Sequence, residues 1–192
     1  NSMLYASYAK GFRVGGFNFG NPTYPTYNPE KSDNYEIGIK NNLWNNRLKI
    51  NLTAFYFQQK DQQVSTSQDG INYASLNVGD MDNYGLELET SALPAKNLQI
   101  DWTASTSHSE YKKLELFDAN TLAVKDYKGN KAINNPALQS MLAVQYGVPF
   151  SKSAQNFKAF VRGEFRYIGK YELDFVNAYH QDDYGMLNAR AG

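Results

Sequence analysis

The feature that most constrains this chain is a strict alternation of apolar and polar residues, which recurs in one segment after another. In one such segment Tyr35, Ile37 and Ile39 share a face of the extended chain, and Glu36 and Lys40 fall on the other. Because successive side chains of a β-strand point to opposite faces, the pattern predicts a strand with one apolar and one charged face. In a later segment Arg162, Glu164 and Arg166 put a charge on successive positions of one face, which excludes an ordinary dry core on that face.

The alternating segments form three hairpins and two flanking strands. The eight predicted strands are residues 3–11, 33–41, 47–58, 83–92, 98–111, 137–148, 156–168 and 183–192. The short connections are 42–46, 93–97 and 149–155, and the long, polar connections are 12–32, 59–82, 112–136 and 169–182. Short turns at one end and long loops at the other are typical of an antiparallel up-and-down transmembrane β-barrel.

Aromatic residues support a membrane location. The chain has 15 Tyr, 11 Phe and 2 Trp among 192 residues, and tyrosine suits positions where one end of the ring is dry and the other is wet. Several tyrosines lie near strand ends on the apolar faces, where they would form a girdle at the lipid headgroups: Tyr35, Tyr56, Tyr84, Tyr146 and Tyr167. No apolar run reaches the roughly 18 to 20 residues of a transmembrane helix.

Composition excludes several classes of function. The 19 Lys and Arg balance the 19 Asp and Glu, which argues against a nucleic-acid partner, and the absence of Cys excludes thiol nucleophiles and Cys-ligated metals. The two imidazoles, His108 and His180, fall toward the long loops, but two histidines without a third ligand make a weak metal signal. We interpret both as solvated loop residues and expect no catalytic residue, no cofactor and no metal site.

The charged faces of the strands predict a polar lumen. The residues that alternate with lipid-facing positions are Glu36, Lys40, Lys49, Glu87, Glu89, Asp101, Arg162, Glu164 and Arg166. Their signs are roughly balanced, so they suit pairing across strands or with a polar plug, and they equally suit a water-filled pore.

Five local motifs resemble those of the TonB-dependent outer-membrane receptors. Residues 4–18 read L-Y-A-S-Y-A-K-G-F-R-V-G-G-F-N, and residues 28–40 resemble the family's N-P-E-x-x-x-x-Y-E-x-G-x-K strand. Residues 47–56 are similar to its R-L-x-x-N-x-A-x-F-Y return, and residues 77–89 to N-x-G-x-x-x-x-Y-G-L-E-L-E. Residues 184–192 are similar to the Y-x-L-L-N-x-R-A-G strand near the end of such barrels.

The resemblance implies a barrel of about 22 strands around an amino-terminal plug, with a box that binds TonB. We therefore expect residues 1–192 to be a partial receptor barrel without plug or TonB box, because the chain carries no signal peptide and stops inside a strand at Arg190 to Gly192. The implied partners are outer-membrane lipid, the protein's own plug domain, the TonB complex and a scarce small ligand, most often a ferric siderophore. The implied location is the outer membrane of a Gram-negative bacterium. Ligand-binding residues vary between members, so the resemblance assigns none here.

Two alternatives remain open from the sequence. One is a complete eight-stranded outer-membrane barrel with a structural or adhesive role, which the strand count permits. The other is a soluble β-barrel carrier of a small apolar ligand, which would need an apolar interior and charged outer faces.

Overall fold

The computed structural model describes residues 1–149 and 158–192 as an all-β chain. Its strands are β1 (Ser2–Arg13), β2 (Gly16–Phe17), β3 (Thr26–Tyr27), β4 (Glu30–Leu43), β5 (Leu48–Thr66), β6 (Ala74–Ala95), β7 (Leu98–Asp118), β8 (Ala123–Asp126), β9 (Leu138–Pro149), β10 (Lys158–Ile168), β11 (Tyr171–Glu172), β12 (His180–Gln181) and β13 (Tyr184–Ala191). None of these described residues forms a helix of the length and apolar character that a membrane crossing requires.

Eight long strands form one antiparallel sheet in the order β1-β4-β5-β6-β7-β9-β10-β13. Each pairs with its neighbour along the chain, as predicted, and the short β8 adds to β7. Strands β1 and β13 lie at opposite edges and do not pair with each other, so the sheet is a partial barrel wall. It is not the closed eight-stranded barrel of the first alternative.

The short connections turn where the sequence predicts them. Asn45 and Asn46 in the first turn, and Asn97 in the second, adopt positive φ angles of 54°, 66° and 64°. Asparagine tolerates this left-handed conformation better than most residues, which explains why Asn-rich segments close these hairpins. The third predicted short connection, 149–155, lies almost entirely outside the described residues.

The long connections contain more strand than predicted, and this part of the prediction is wrong. Pairing of β5 with β6 continues to Thr66 and Ala74, which leaves only residues 67–73 as a loop. Similarly, β7 continues to Asp118 within the connection predicted for 112–136. The connection 12–32 carries the β2–β3 pair, and 169–182 carries β11–β12.

The strand extensions and long loops form a compact unit, here called the loop cap. Its core consists of Val64, Ala74, Leu76, Val78, Tyr111, Leu114, Leu116 and Ala132. Partly buried side chains pack around this core, Met81 from β6 and three others from the loops: Tyr24, Tyr127 and Phe175. Apolar burial by these side chains is what allows β5, β6 and β7 to continue beyond the predicted strand ends.

Candidate functional site

The outer face of the sheet carries a continuous aromatic row. Cross-strand pairing aligns Tyr8, Tyr35, Tyr56, Tyr84 and His108 on five adjacent strands. Ring centroids are 4.9 Å apart for Tyr8 and Tyr35, 6.3 Å for Tyr35 and Tyr56, and 5.0 Å for Tyr84 and His108. Three of the predicted girdle residues thus share one level near the loop cap. Sequence reasoning missed Tyr8, although its alternation with Leu4 and Ala6 places it on the same face.

The remaining predicted aromatic and imidazole positions fall elsewhere. Tyr146 lies near the short-turn end and is exposed, whereas Tyr167 lies at the loop end and donates to Asp183 Oδ2 at 3.2 Å. His108 lies within β7, inside the predicted strand 98–111, and is exposed as expected; it is a strand residue and not a loop residue, and its ring packs beside Tyr84. His180 lies in the loop strand β12, with Nε2 3.3 Å from Asp182 Oδ1.

Below the aromatic row the outer face is apolar. Ile37 pairs across the sheet with Ala54, which pairs with Leu86; the next level aligns Ile39 with Leu52. Ile37 is 55% exposed and Leu86 is 51% exposed, and large apolar side chains recur over this whole face. A contiguous exposed apolar face of this size is expected only where lipid or another surface covers it.

The opposite face contains all nine charged residues that were predicted for the lumen. The register places Glu36, Lys49, Glu87, Asp101 and Glu164 on one face through successive cross-strand pairs, and the other four follow by strand alternation. Charged groups concentrated on the concave side define a polar inner surface, which is incompatible with the apolar interior of the carrier alternative.

An ion pair crosses β9 on this inner surface. Arg162 Nη1 of β10 donates to Asp101 Oδ2 of β7 at 3.0 Å, over the buried Ala143 of the intervening strand. Asp101 also accepts from Ser91 Oγ at 2.8 Å and from Gln99 Nε2 at 2.9 Å. A small residue at position 143 leaves room for the arginine side chain, so the pair ties together three strands.

Next to this pair, the inner surface forms an open hollow of about 520 Å³. The polar side chains that line it include Tyr5, Lys40, Glu87, Glu89 and Arg166. Lys40 Nζ lies 5.1 Å from the centre of the Tyr5 ring, and Asn51 Nδ2 donates to Glu89 Oε2 at 3.0 Å. The hollow therefore presents both signs of charge to whatever fills the lumen.

Two motif glycines allow aromatic rings to lie flat on the inner surface. A Cβ at Gly38 would come within 2.5 Å of the Tyr5 ring, and a Cβ at Gly85 would overlap the Thr106 carbonyl oxygen and come within 2.9 Å of the Phe55 ring. The Tyr5 hydroxyl meets Thr53 Oγ1 at 2.8 Å. The glycines of the Y-E-x-G and Y-G-L-E motifs are thus required by close packing.

Asparagines of the sequence motifs connect the loops. Asn77 Oδ1 accepts from Asn28 N at 2.7 Å, and Asn77 Nδ2 donates to Asn28 O at 3.0 Å and to Asp61 O at 2.7 Å. Asn18 makes a similar two-point contact with Ser75, at 3.0 Å for both hydrogen bonds. The motifs at 4–18, 28–40 and 77–89 therefore meet in the loop cap.

A largely buried carboxylate strengthens the same junction. Glu30 Oε2 accepts from Arg13 Nη2 at 2.7 Å and from Gln63 N at 2.8 Å, and its Oε1 accepts from Gln59 Nε2 at 2.7 Å. The Glu30 side chain is only 13% exposed, so these donors replace the water that it loses. Strands β1, β4 and β5 are joined at this one residue.

The later loops pack onto the cap in the same way. Asn177 Oδ1 accepts from Lys131 N at 2.7 Å, and Asn130 Nδ2 donates to Phe175 O at 2.9 Å. The Phe175 ring meets the Tyr111 ring edge-on at 6.1 Å, and burial raises the pKa of the Tyr111 hydroxyl. Within 1–149 and 158–192, no cluster of three potential metal ligands occurs.

A family model described as "TonB dependent receptor-like, beta-barrel" matches residues 1–192. A curated relative, the probable TonB-dependent siderophore receptor PiuA of Acinetobacter baumannii, is 26% identical over 156 residues. That alignment covers 77% of this chain and 21% of the relative.

Solved receptor structures share the fold. The ferric yersiniabactin uptake receptor FyuA of Yersinia pestis superposes with a TM-score of 0.77 at 22% identity, covering 100% of this chain and 27% of that one. The siderophore receptor PiuA of Acinetobacter baumannii gives a TM-score of 0.71 at 25% identity, with the same coverage of both chains. This chain spans about a fifth of the length of the curated relative and about a quarter of each solved receptor.

Proposed function

Because the chain belongs to the TonB-dependent receptor β-barrel family, we propose that it forms part of the barrel of an outer-membrane receptor that takes up a ferric siderophore. The similar proteins named above are a ferric yersiniabactin uptake receptor and a siderophore receptor, and the curated relative is a probable TonB-dependent siderophore receptor. The family is one of receptors rather than enzymes, and we assign this chain no catalytic role. The proposed location is the outer membrane of a Gram-negative bacterium.

The observation that carries the proposal is the division of one sheet into two opposite surfaces beneath a structured cap. The apolar outer face below the Tyr8–His108 row suits hydrocarbon, since every backbone group between the sheet edges is paired within the sheet. The inner face offers charges and hydrogen-bonding groups. A ligand that arrives from outside meets the loop cap before it meets the lumen.

In this proposal the inner surface contacts the receptor's own plug domain. The hollow that contains Lys40, Glu87, Glu89 and Arg166 presents both charge signs, so a polar plug surface can pair with it. The TonB complex then acts on the plug and not on this segment. The chain thus contributes wall and loops, and the movement that opens the path belongs to other parts of the receptor.

The test is uptake of radioactive iron by the full-length receptor that contains this segment. The receptor is expressed in a Gram-negative strain that lacks its own ferric siderophore receptors, with and without tonB, and cells receive a panel of ⁵⁵Fe-loaded siderophores. We expect at least one siderophore to be bound in both strains but accumulated only when TonB is present. Uptake of every siderophore at the level of receptor-free cells, or uptake that persists without TonB, would contradict the proposal.

A further inference from the structure

Two lysines face each other on the outer surface just above the aromatic row. Lys31 of β4 and Lys60 of β5 are direct cross-strand partners, and both are exposed. They share the lipid-facing side with Tyr35 and Tyr56, because they stand four residues further along the same two strands. Like charges directly opposite each other on neighbouring strands are destabilising. Nothing in the strand pairing itself accounts for this arrangement.

The lysine pair, Lys31 and Lys60, is not neutralised by protein carboxylates. The ion pairs among the described residues involve neither lysine. The adjacent Glu30 points to the other side of the sheet, where it binds Arg13. On β5 the next residue, Asp61, lies at a bulge where its backbone N donates to Asp80 Oδ1 at 2.9 Å.

The surroundings of the lysine pair are amphipathic. Phe12 of β1 pairs with Lys31 and is 74% exposed, and Lys10, two residues nearer the aromatic row on the same strand, lies 5.9 Å from the centre of the Tyr8 ring. On β4 this face carries one carboxylate, Asp33, which is the cross-strand partner of Lys10; its Oδ1 accepts the Tyr8 hydroxyl at 2.6 Å. Counted over β1, β4 and Lys60 of β5, three lysines on this face meet one carboxylate, which leaves a local excess of positive charge; Asp80 of β6, opposite the bulge after Lys60, accepts from Asp61 N.

This excess is confined to β1, β4 and β5. Further round the sheet, the level above the aromatic row carries Asp82 and Glu110, with Lys112 Nζ 4.0 Å and 3.2 Å from their carboxylates. That neighbouring section has two carboxylates for one lysine. The positive patch is therefore a defined site and not a uniform property of the outer surface.

The patch extends from the height of a headgroup layer, at Lys10, to a few ångströms above it, at Lys31 and Lys60. Lys10 stands two residues beyond the aromatic row, and Lys31 and Lys60 stand four residues beyond it. At about 3.3 Å per residue, these positions lie about 7 and 13 Å along the strand from the row. A strand tilt of about 40° lowers these heights to about 5 and 10 Å. The headgroup region is about 5 to 7 Å thick on each side of the hydrocarbon, and the long side chain of lysine reaches toward it.

From this geometry we infer that Lys31 and Lys60, assisted by Lys10 and Phe12, bind the phosphate headgroup of an outer-leaflet lipid. The phosphate lies between the two ammonium groups and offsets their repulsion. The exposed Phe12 ring provides the apolar contact for the upper part of an acyl chain. The site is separate from the lumen, so it does not depend on which ligand the receptor transports.

The experiment uses the full-length receptor in nanodiscs of phosphatidylcholine that contain a minor fraction of spin-labelled phosphatidylglycerol or spin-labelled phosphatidylcholine. Electron spin resonance gives the relative association constant of each labelled lipid with the protein surface. We expect the receptor to prefer phosphatidylglycerol, and K31Q/K60Q to reduce that preference by about fivefold or more, since each lysine near a charged membrane surface contributes about fivefold. K31R/K60R should retain it.

The matched control is K96Q/K128Q, which removes two exposed lysines from the second short turn and from the loop before Asn130. Equal loss of the preference in K96Q/K128Q and K31Q/K60Q would mean bulk electrostatic attraction and would overturn the inference. So would an unmodified receptor that shows no preference. Thermal unfolding provides a second readout: K31Q/K60Q should be at least as stable as the unmodified receptor in phosphatidylcholine, and less stable than it in phosphatidylglycerol.

Discussion

At the residue scale, the Arg162–Asp101 ion pair is a partly buried, directly hydrogen-bonded pair on the inner surface. The two side chains are 14% and 21% exposed, and the arginine bridges strands that are not neighbours. We predict that R162A lowers the free energy of unfolding by about 2 kcal/mol, the usual cost of losing a hydrogen bond between charged groups. A double-mutant cycle of R162A and D101A measures the coupling, which should be about 1 to 2 kcal/mol; additive losses would contradict the assignment.

A second residue-scale prediction concerns Asn77, whose side chain makes three hydrogen bonds to two other segments. N77A should increase hydrogen exchange of amides in 14–29 and 59–66 by about tenfold or more, because each lost bond costs about 1 kcal/mol. N42A, an exposed asparagine at the short-turn end, is the matched control and should leave exchange in these segments unchanged. Unchanged exchange in N77A would mean that the apolar core alone holds the loops.

Sequence reasoning could find inner-face charges but not their partners. Alternation alone assigns Asp101 and Arg162 to the lumen side, since it depends only on local spacing. Their pairing depends on register across two strands, 61 residues apart in sequence, which local patterns do not encode. The same holds for Asn18 with Ser75 and Asn28 with Asn77. The sequence did offer one indication that these asparagines have a structural role: Asn18, Asn28 and Asn77 lie inside the motifs that resemble those of the family.

At the element scale, the close contact at Gly85 predicts a position-specific cost. In G85A the new methyl group would overlap the Thr106 carbonyl, a backbone atom that cannot move without disturbing the β6–β7 pairing. We expect a loss of about 1 to 3 kcal/mol in unfolding free energy. Gly163 in β10 has open space around its Cβ position, so G163A serves as the control and should change stability by less than about 0.5 kcal/mol. Equal effects of both variants would show that general strand propensity is responsible.

The loop between β5 and β6 supports a prediction about pH. The Asp69 carboxylate accepts from the backbone N–H groups of Asn72 and Ile71 and from Ser67 Oγ, and these bonds hold its pKa well below the ordinary value of 3.8. A lowered pKa means that the bonds stabilise the loop fully above about pH 3.8 and are lost as the pH falls through the depressed value. Residues 67–73 should therefore keep their protection from amide exchange at pH 4. In D69N the same amides should exchange faster already at pH 7, as those of the unmodified loop do only in strong acid. Protection that declines around pH 4 would contradict this account.

The strand boundaries show where sequence patterns lose their predictive value. Inside the membrane span the two faces differ in polarity, so alternation locates strands well. Beyond the aromatic row, β5 continues through Lys60, Asp61 and Gln62, where both faces are polar and a bulge shifts the register. The alternating Leu76–Val78 and Leu114–Leu116 pairs were the available signals for the longer strands, but their shared core forms only after distant loops meet.

At the scale of the whole molecule, the described chain is one part of a wall with a lipid face, a lumen face and a structured cap. Its sheet has two free edges, β1 and β13, and a strand edge buried in lipid must be paired. In the receptor that we propose, these edges would pair with further strands; the chain spans about a quarter of the solved receptors. The all-β class, the strand order and the family were accessible from sequence because alternation and motifs are local. The extent of the loop cap was not accessible from sequence, because its core forms only when distant segments meet.

The measurement that tests the account most directly is a cysteine scan of β4 from Tyr35 to Lys40 in a cysteine-free form of the full-length receptor. Each single cysteine carries an environment-sensitive fluorophore, and quenching by brominated lipid reports contact with hydrocarbon. We predict strong quenching at 35, 37 and 39 and weak quenching at 36, 38 and 40, with water-soluble quencher giving the opposite pattern. Strong lipid quenching at the even positions, or equal quenching at all six, would contradict the assignment of the two faces and with it the barrel wall.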